Sequence, residues 1–260
     1  MEIHLQSTGG GSKTNTQQTK YAMLLLWWYG HECYLEVLPS MWPRGIARRT
    51  FVRRHATHTY YVDSVQVPHF HSLVESVGVK GEKGWNSLGG SEFMKNEVAC
   101  ENGTEFHTAA AYIVKGVDIE YDPAMENLIA GLKSFLLTHS SFKTVDLPGV
   151  GQLVDVPLYS KALNLAFTPD WVVEDYTTKR IWVVDWKSTM SYQRSWDWQV
   201  AGAYKLGLED VLGGFRVYPM IVQFDNSKKT RPKITTFNLS ECSKAENDFR
   251  SIYNVWKLGR

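Results

Sequence analysis

Two aspartates and a lysine mark the stretch FTPDWVVEDYTTKRIWVVDWKST, residues 167 to 189. Asp170 opens one apolar run, and Asp185 and Lys187 close the next. A carboxylate is costly to bury beside Val and Trp unless something compensates it. Side chains alternate along a strand, so Asp185 and Lys187 share one face and Trp186 takes the other. The polar turn YTTKR brings the chain back beside the first run, and in an antiparallel pair Asp170 then neighbours Asp185 and Lys187. Two carboxylates that close repel unless a cation lies between them. A hard divalent ion prefers such oxygen ligands. A lysine beside the ion can activate a water or steady charge growing on a phosphate. Ion, activated water and cation are what phosphodiester hydrolysis requires. Taken alone, Asp-x-Lys on a strand is an ordinary surface ion pair worth under about 1 kcal/mol, so the chemistry depends on what surrounds it.

The surrounding elements follow from periodicity. FHSLVESVG reads as a short helix ended by Gly78, and residues 91–115 as helix in two pieces broken near Asn102 and Gly103. In DPAMENLIAGLKSFLLTHS, Asp122 caps an amphipathic helix and Pro123 suits its first turn. Met125, Leu128, Ile129, Leu132, Phe135 and Leu136 recur there at three- and four-residue steps. GQLVDVPLYS reads as one strand, DWVVED and IWVVDWK as two more, and FRVYPMIVQFD and KITTFNL as another two. A helix over about 194–208 lies between, and SECSKAENDFRSIYNVWKL closes the chain as a helix capped by Ser240. Upstream, residues 6–19 read as a flexible lead-in. KYAMLLLWWYGHECYLEVLP is either two strands turning at Gly30 and His31 or one helix, and RRTFVRRHATHTYYVDSVQVP is a hairpin. The order implies a mixed α/β core around one central sheet.

Composition sets limits. A chain of 260 residues suits one large domain, or one domain with an appendage. An apolar fraction of 43%, with 10 Trp, 13 Tyr and 11 Phe, excludes global disorder. Net charge of +1 points to no partner, but Arg44, Arg48, Arg49, Arg53 and Arg54 crowd one stretch, and Lys228, Lys229, Arg231 and Lys233 another. Cys33, Cys100 and Cys242 are far apart with no CxxC pair, which signals neither a zinc knuckle nor an iron–sulfur cluster and fits a reducing, intracellular, cytoplasmic setting. The longest apolar run, residues 22–29, is too short for a bilayer, which needs about 20 residues. It also lacks a small-residue cleavage site.

TPD, then an apolar strand into DWK, resembles the signature of the PD-(D/E)xK nuclease superfamily. GTEFH, residues 103 to 107, resembles the G-x-x-x-H motif upstream in its RecB-like exonuclease branch, the phage and mitochondrial-maintenance type. WQVAGAY, residues 198 to 204, resembles the Gln-to-Tyr helix motif that follows the lysine there. The resemblance covers about residues 58 to 224, with the motifs in the family's order. It implies a restriction-endonuclease-like core, a mixed central sheet flanked by helices, over residues 58–260, preceded by a lead-in and β-rich extension over 1–57. It implies His107, Asp170 and Asp185 as metal ligands, with the carbonyl of Trp186 as a further oxygen. Lys187 would be the catalytic lysine, and Gln199 would support the site. Without the resemblance, His107 is more ordinarily a polar residue beside an apolar helix stripe of Phe106, Ala110, Ile113 and Val117. Asp155 would lie just outside the ligands.

Two departures from the family pattern stand out. Phe167 takes the place of a usual glycine, which is expected to narrow the approach to the site. Gln199 and Tyr204 are five residues apart rather than four, about 140° apart on an α-helix, which puts Tyr204's role in question.

The implied activity is Mg²⁺- or Mn²⁺-dependent hydrolysis of DNA with one or two ions and no iron–sulfur cluster. The expected action is that of an exonuclease on DNA ends or single strands in replication, recombination or repair, alongside other proteins of those processes and with no membrane. Ser188 and Thr189 can donate to a phosphate. Tyr192, Trp196 and Tyr204 can meet bases or backbone, and Arg194, Arg48, Arg49 and Arg53 can neutralise phosphates. The alternative is a catalytically inactive nucleic-acid-binding or assembly module with the same fold.

Overall fold

The computed structural model describes residues 24–29, 32–37, 50–54, 59–76, 103–227 and 231–259. Strands β1 (Leu24–Tyr29), β2 (Glu32–Val37), β3 (Thr50–Arg54), β4 (Thr59–Val62) and β5 (Val65–Val67) form an antiparallel meander in chain order. Pairing of Tyr29 with Glu32 leaves a two-residue connection, so the strand alternative for this segment holds. Asp63 and Ser64, with φ of 52° and 66°, make the β4–β5 turn, because two left-handed central residues match the twist of a tight hairpin. Arg54 pairs with Thr59, so the boundary expected at 57/58 falls inside this sheet. α1 (Phe70–Ser76) follows.

Residues 103–114 are helical (α2). Gly116, at φ 74°, ends α2 in a Schellman turn: its N–H reaches Ile113 and that of Val117 reaches Tyr112, each at 3.0 Å. Val117 therefore leaves the expected apolar stripe and is exposed, while Ala109 and Ala111 join Phe106 and Ala110 in the core. Asp122 caps a 3₁₀ turn through Ala124 N–H at 2.8 Å, and α3 (Glu126–Thr138) follows with Leu128, Ile129, Leu132 and Phe135 buried.

Short pairs come next: β6 (Phe142–Thr144), β7 (Asp146–Leu147) with β8 (Gly151–Gln152), and β9 (Leu158–Ser160) with β10 (Leu165–Phe167). The single strand expected in GQLVDVPLYS is broken, because Asp155 takes φ 51° and Pro157 has no N–H for a ladder. Then come β11 (Trp171–Asp175) and β12 (Arg180–Lys187). A continuous helix carries a π segment (Asp197–Tyr204) into α4 (Lys205–Val211). β13 (Val217–Gln223), β14 (Lys233–Thr236) and α5 (Leu239–Leu258) complete the chain. Asn238, not Ser240, caps α5: its side chain accepts from Glu241 N–H at 3.0 Å while Glu241 accepts from Asn238 N–H at 2.8 Å. This reciprocal box satisfies two otherwise orphaned donors.

The central sheet is mixed, in the order β14-β13-β12-β11-β6. β12 and β13 are parallel, joined across the helix, and the other pairs are antiparallel. Each face packs its own core. Val172, Val183, Val217 and Ile221 meet α1, the π segment, α4 and α5. Trp171, Val184, Trp186 and Met220 meet α2 and α3. Buried Lys205 ties α4 to α5, its Nζ 2.9 Å from Glu209 and 2.7 Å from Glu246. Among the described residues no helix is long and apolar enough to cross a membrane.

Candidate active site at the end of β12

β12 alternates between the two cores, so Asp185 and Lys187 share a face at its carboxyl end. The Lys187 ammonium lies 2.6 Å from Asp185 Oδ2, both side chains being largely buried. Asp170 precedes β11, whose Trp171 pairs with Val184, so the antiparallel register sets Asp170 beside Asp185. One oxygen of Asp170 accepts the Trp186 backbone N–H at 2.7 Å. The other lies 2.9 Å from His107 Nδ1 on α2. Phe106, beside that histidine, is fully buried and fixes the helix against the sheet. Gly103 brings the start of α2 close to the chain after the lysine: a Cβ there would stand 3.5 Å from Ser188 Oγ.

The electrostatics follow from burial opposed by pairing. For Asp185 desolvation is the largest effect and prevails, so its pKa is raised despite Lys187. For Asp170 burial also pushes upward, but His107, Lys187 and the Trp186 N–H overcome it and the pKa is lowered. Burial would lower His107, yet the Asp170 carboxylate prevails and the imidazole is raised above 6.5.

Gln199 and Tyr204 correct the α-helical expectation. The segment from 197 to 204 is a π-helix, with Lys205 N–H reaching back to the Val200 carbonyl. An i→i+5 helix winds more broadly than an α-helix, so a residue five positions on returns closer to the starting face. Gln199 and Tyr204 therefore stack on one face, and Gln199 Nε2 donates to the Tyr204 hydroxyl at 2.7 Å. Tyr204 is buried, its pKa raised well above 10.0 by desolvation first and then by Asp185, so it belongs with the acids rather than on an exposed surface.

Phe167 is also corrected. It is buried, 1% exposed, and does not narrow the approach. Its ring fills the space that Gly207 leaves on α4, where a Cβ would come within 2.6 Å. Trp196 is likewise buried and lies beneath the lysine, with Lys187 Nζ 5.2 Å from its ring, so it offers no face to a base. Tyr192 is 39% exposed and bonds through its hydroxyl to Asp197. Arg194 lies 3.5 Å from Asp248, and with Tyr192 it lines a groove of about 430 Å³ against α5. Ser188 is half-buried and Thr189 exposed; Asp155 is exposed, and its N–H donates to the Asp170 carbonyl at 3.0 Å. Arg53 sits in β3 opposite Cys33 and Tyr60, whereas Arg48 and Arg49 lie outside the described residues.

One neighbour escaped the sequence reading. Gln223 is fully buried, pairs in register with Lys187, and donates to the Thr189 carbonyl at 3.1 Å. A lone amide in the apolar run MIVQF was its signal.

The donor set suits a hard divalent ion. An imidazole in contact with one carboxylate stands beside a second, lysine-paired carboxylate, and Asp185 Oδ2 is enclosed without a hydrogen bond of proper geometry, the ammonium being close but not aligned. As placed, the cationic side chains close directly on the acids, and among the described residues no three His, Cys, Asp or Glu are gathered into a ready-made cage. Compared with known proteins, the chain matches no family model and no curated protein.

Proposed function

We propose that this protein is a Mg²⁺- or Mn²⁺-dependent deoxyribonuclease with a restriction-endonuclease-like core. The observation that carries the reading is the meeting of His107 and Asp170 at 2.9 Å beside the Asp185–Lys187 pair, from three separate stretches of chain. Asp170, Asp185 and His107 would hold the ion, which when bound supplies charge neutralisation and polarisation at the scissile phosphate. The contact through Nδ1 leaves Nε2 as the other donor atom of the imidazole. Lys187, largely buried and held over the Trp196 ring, opposes negative charge developing on the phosphate. Gln199 and Tyr204 brace the helix packed behind the acids, and Gln223 holds the Ser188–Thr189 segment in place.

End-labelled linear and circular DNA, single- and double-stranded, tests the proposal with each metal. Wild type degrades linear DNA, while Asp185→Ala and Lys187→Ala each reduce the rate by at least about a thousandfold. Metal-replete wild type that leaves every DNA and RNA substrate intact overturns it and favours the inactive binding module.

A further inference from the structure

A second site lies at the opposite end of β12. Arg180 begins the strand that Lys187 ends, roughly 23 Å away at the usual rise per residue. Around it opens a groove of about 860 Å³, walled by the ends of β6, β11, β12 and β13 and the turn after α4.

Four cations converge there, and they are held by aromatic rings. Lys143 and Lys179 lie 4.4 and 4.6 Å from the Tyr176 ring centre. Arg180 and Arg216 lie 4.8 and 5.2 Å from that of Tyr218. Two carboxylates, Asp146 and Glu174, share the lining. Glu174 even pairs in register with Lys143. Yet among the described residues no carboxylate comes within ion-pair distance of any of the four cations. Like charges gathered this way repel, and an exposed cation–π contact offsets only about 0.5–1 kcal/mol each. The arrangement thus presents unneutralised positive charge to an anion. One aromatic ring in the lining, Phe215, carries no cation and is 66% exposed. Cations spaced along a groove beside an open ring match a phosphate backbone carrying flat bases. An acidic peptide would use the charges but leave the Phe215 ring idle.

We propose that this groove binds single-stranded nucleic acid, as a site separate from the acid cluster and independent of whether that cluster cleaves. Arg180 and Arg216 engage phosphates, and Phe215 stacks on a base.

The test is fluorescence anisotropy with a labelled oligothymidylate of about a dozen nucleotides. It uses full-length protein in EDTA and an Asp185→Asn background, so that cleavage plays no part. Arg180→Glu with Arg216→Glu weakens binding about tenfold or more and makes the logarithmic salt dependence shallower by about 1.4. Phe215→Ser, at an exposed position that leaves the core intact, weakens it by about tenfold. Lys115→Glu with Lys257→Glu, the same charge change elsewhere, leaves binding within about twofold of wild type. Groove variants that bind like wild type, or a control pair equally impaired, overturn the proposal. So does labelled polyglutamate that binds through these arginines while oligothymidylate does not bind.

Discussion

At the scale of single residues, the His107–Asp170 contact makes a prediction with a definite sign. Burial alone depresses His107, and Asp170 reverses this. In the metal-free protein the imidazole titrates above 6.5 by NMR, and in Asp170→Asn it falls below 6.5, because desolvation and the Lys187 charge are then opposed only by the weaker pull of Asp185. A raised histidine stabilises the fold fully below its unfolded pKa and loses that contribution as pH rises through the folded value. A lowered aspartate contributes above its unfolded pKa and loses that contribution as pH falls through the folded value. The pair's contribution is therefore greatest between about pH 4 and pH 6.5, and it is lost as pH rises from there through the raised histidine value. Denaturant melts across pH check this against Asp170→Asn, which flattens the profile. Lys187→Met is expected to abolish cleavage and also to destabilise the fold by about 3–5 kcal/mol, because it leaves the buried Asp185 carboxylate unpaired.

At the scale of elements, packing rather than propensity decides the helix behind the site. The Tyr204→Phe substitution strands the Gln199 amide and costs about 1–3 kcal/mol, readable as a drop in Tm with the fold retained. Gly202 and Gly207 are needed for close approach. A Cβ on the first would stand 2.8 Å from the Ala245 carbonyl of α5, and one on the second would strike Phe167. Overpacking at Gly207→Ala costs about 1–3 kcal/mol, and Phe167→Leu in the same chain recovers part of it by removing the edge that collides. A double-mutant cycle in urea measures that coupling. The turn between β11 and β12 has its own anchor. Asp175 accepts from Ser141 Oγ at 2.8 Å, Thr178 Oγ1 at 2.6 Å and Thr177 N–H at 3.0 Å.

At the scale of the whole molecule, a divalent ion that binds only the folded state must stabilise it. At a hundredfold excess over Kd, Mn²⁺ raises the Tm of wild type by about 5–10 °C and leaves Asp185→Asn unchanged, as scanning calorimetry would read. Much of the architecture was legible in the chain. Apolar runs located β11 to β14 of the central sheet but not β6, whose three residues are too short for a pattern, and the 3.6-residue stripe located α3, because each longer element buries a face and the pattern records it. The convergence of Asp170, Asp185 and Lys187 was legible because a hairpin fixes register locally. What escaped was set by distant contacts. Phe167 reads as an obstruction until Gly207 is seen across from it, and Trp196 reads as a platform until Lys187 is seen above it. The break at Asp155 depends on a backbone angle that strand patterning does not encode. The π segment has a consequence beyond the pair it aligns. Lengthening an α-helix by one residue swings everything after it through about 100°. Here one broad coil soaks up the surplus, and Leu208 still faces inward. Shortening the chain by deleting Ala203 should therefore be survivable, whereas the same cut at Ala245 in α5 should unfold the protein. A densely packed layer would thus tolerate the kind of length change otherwise confined to surface loops.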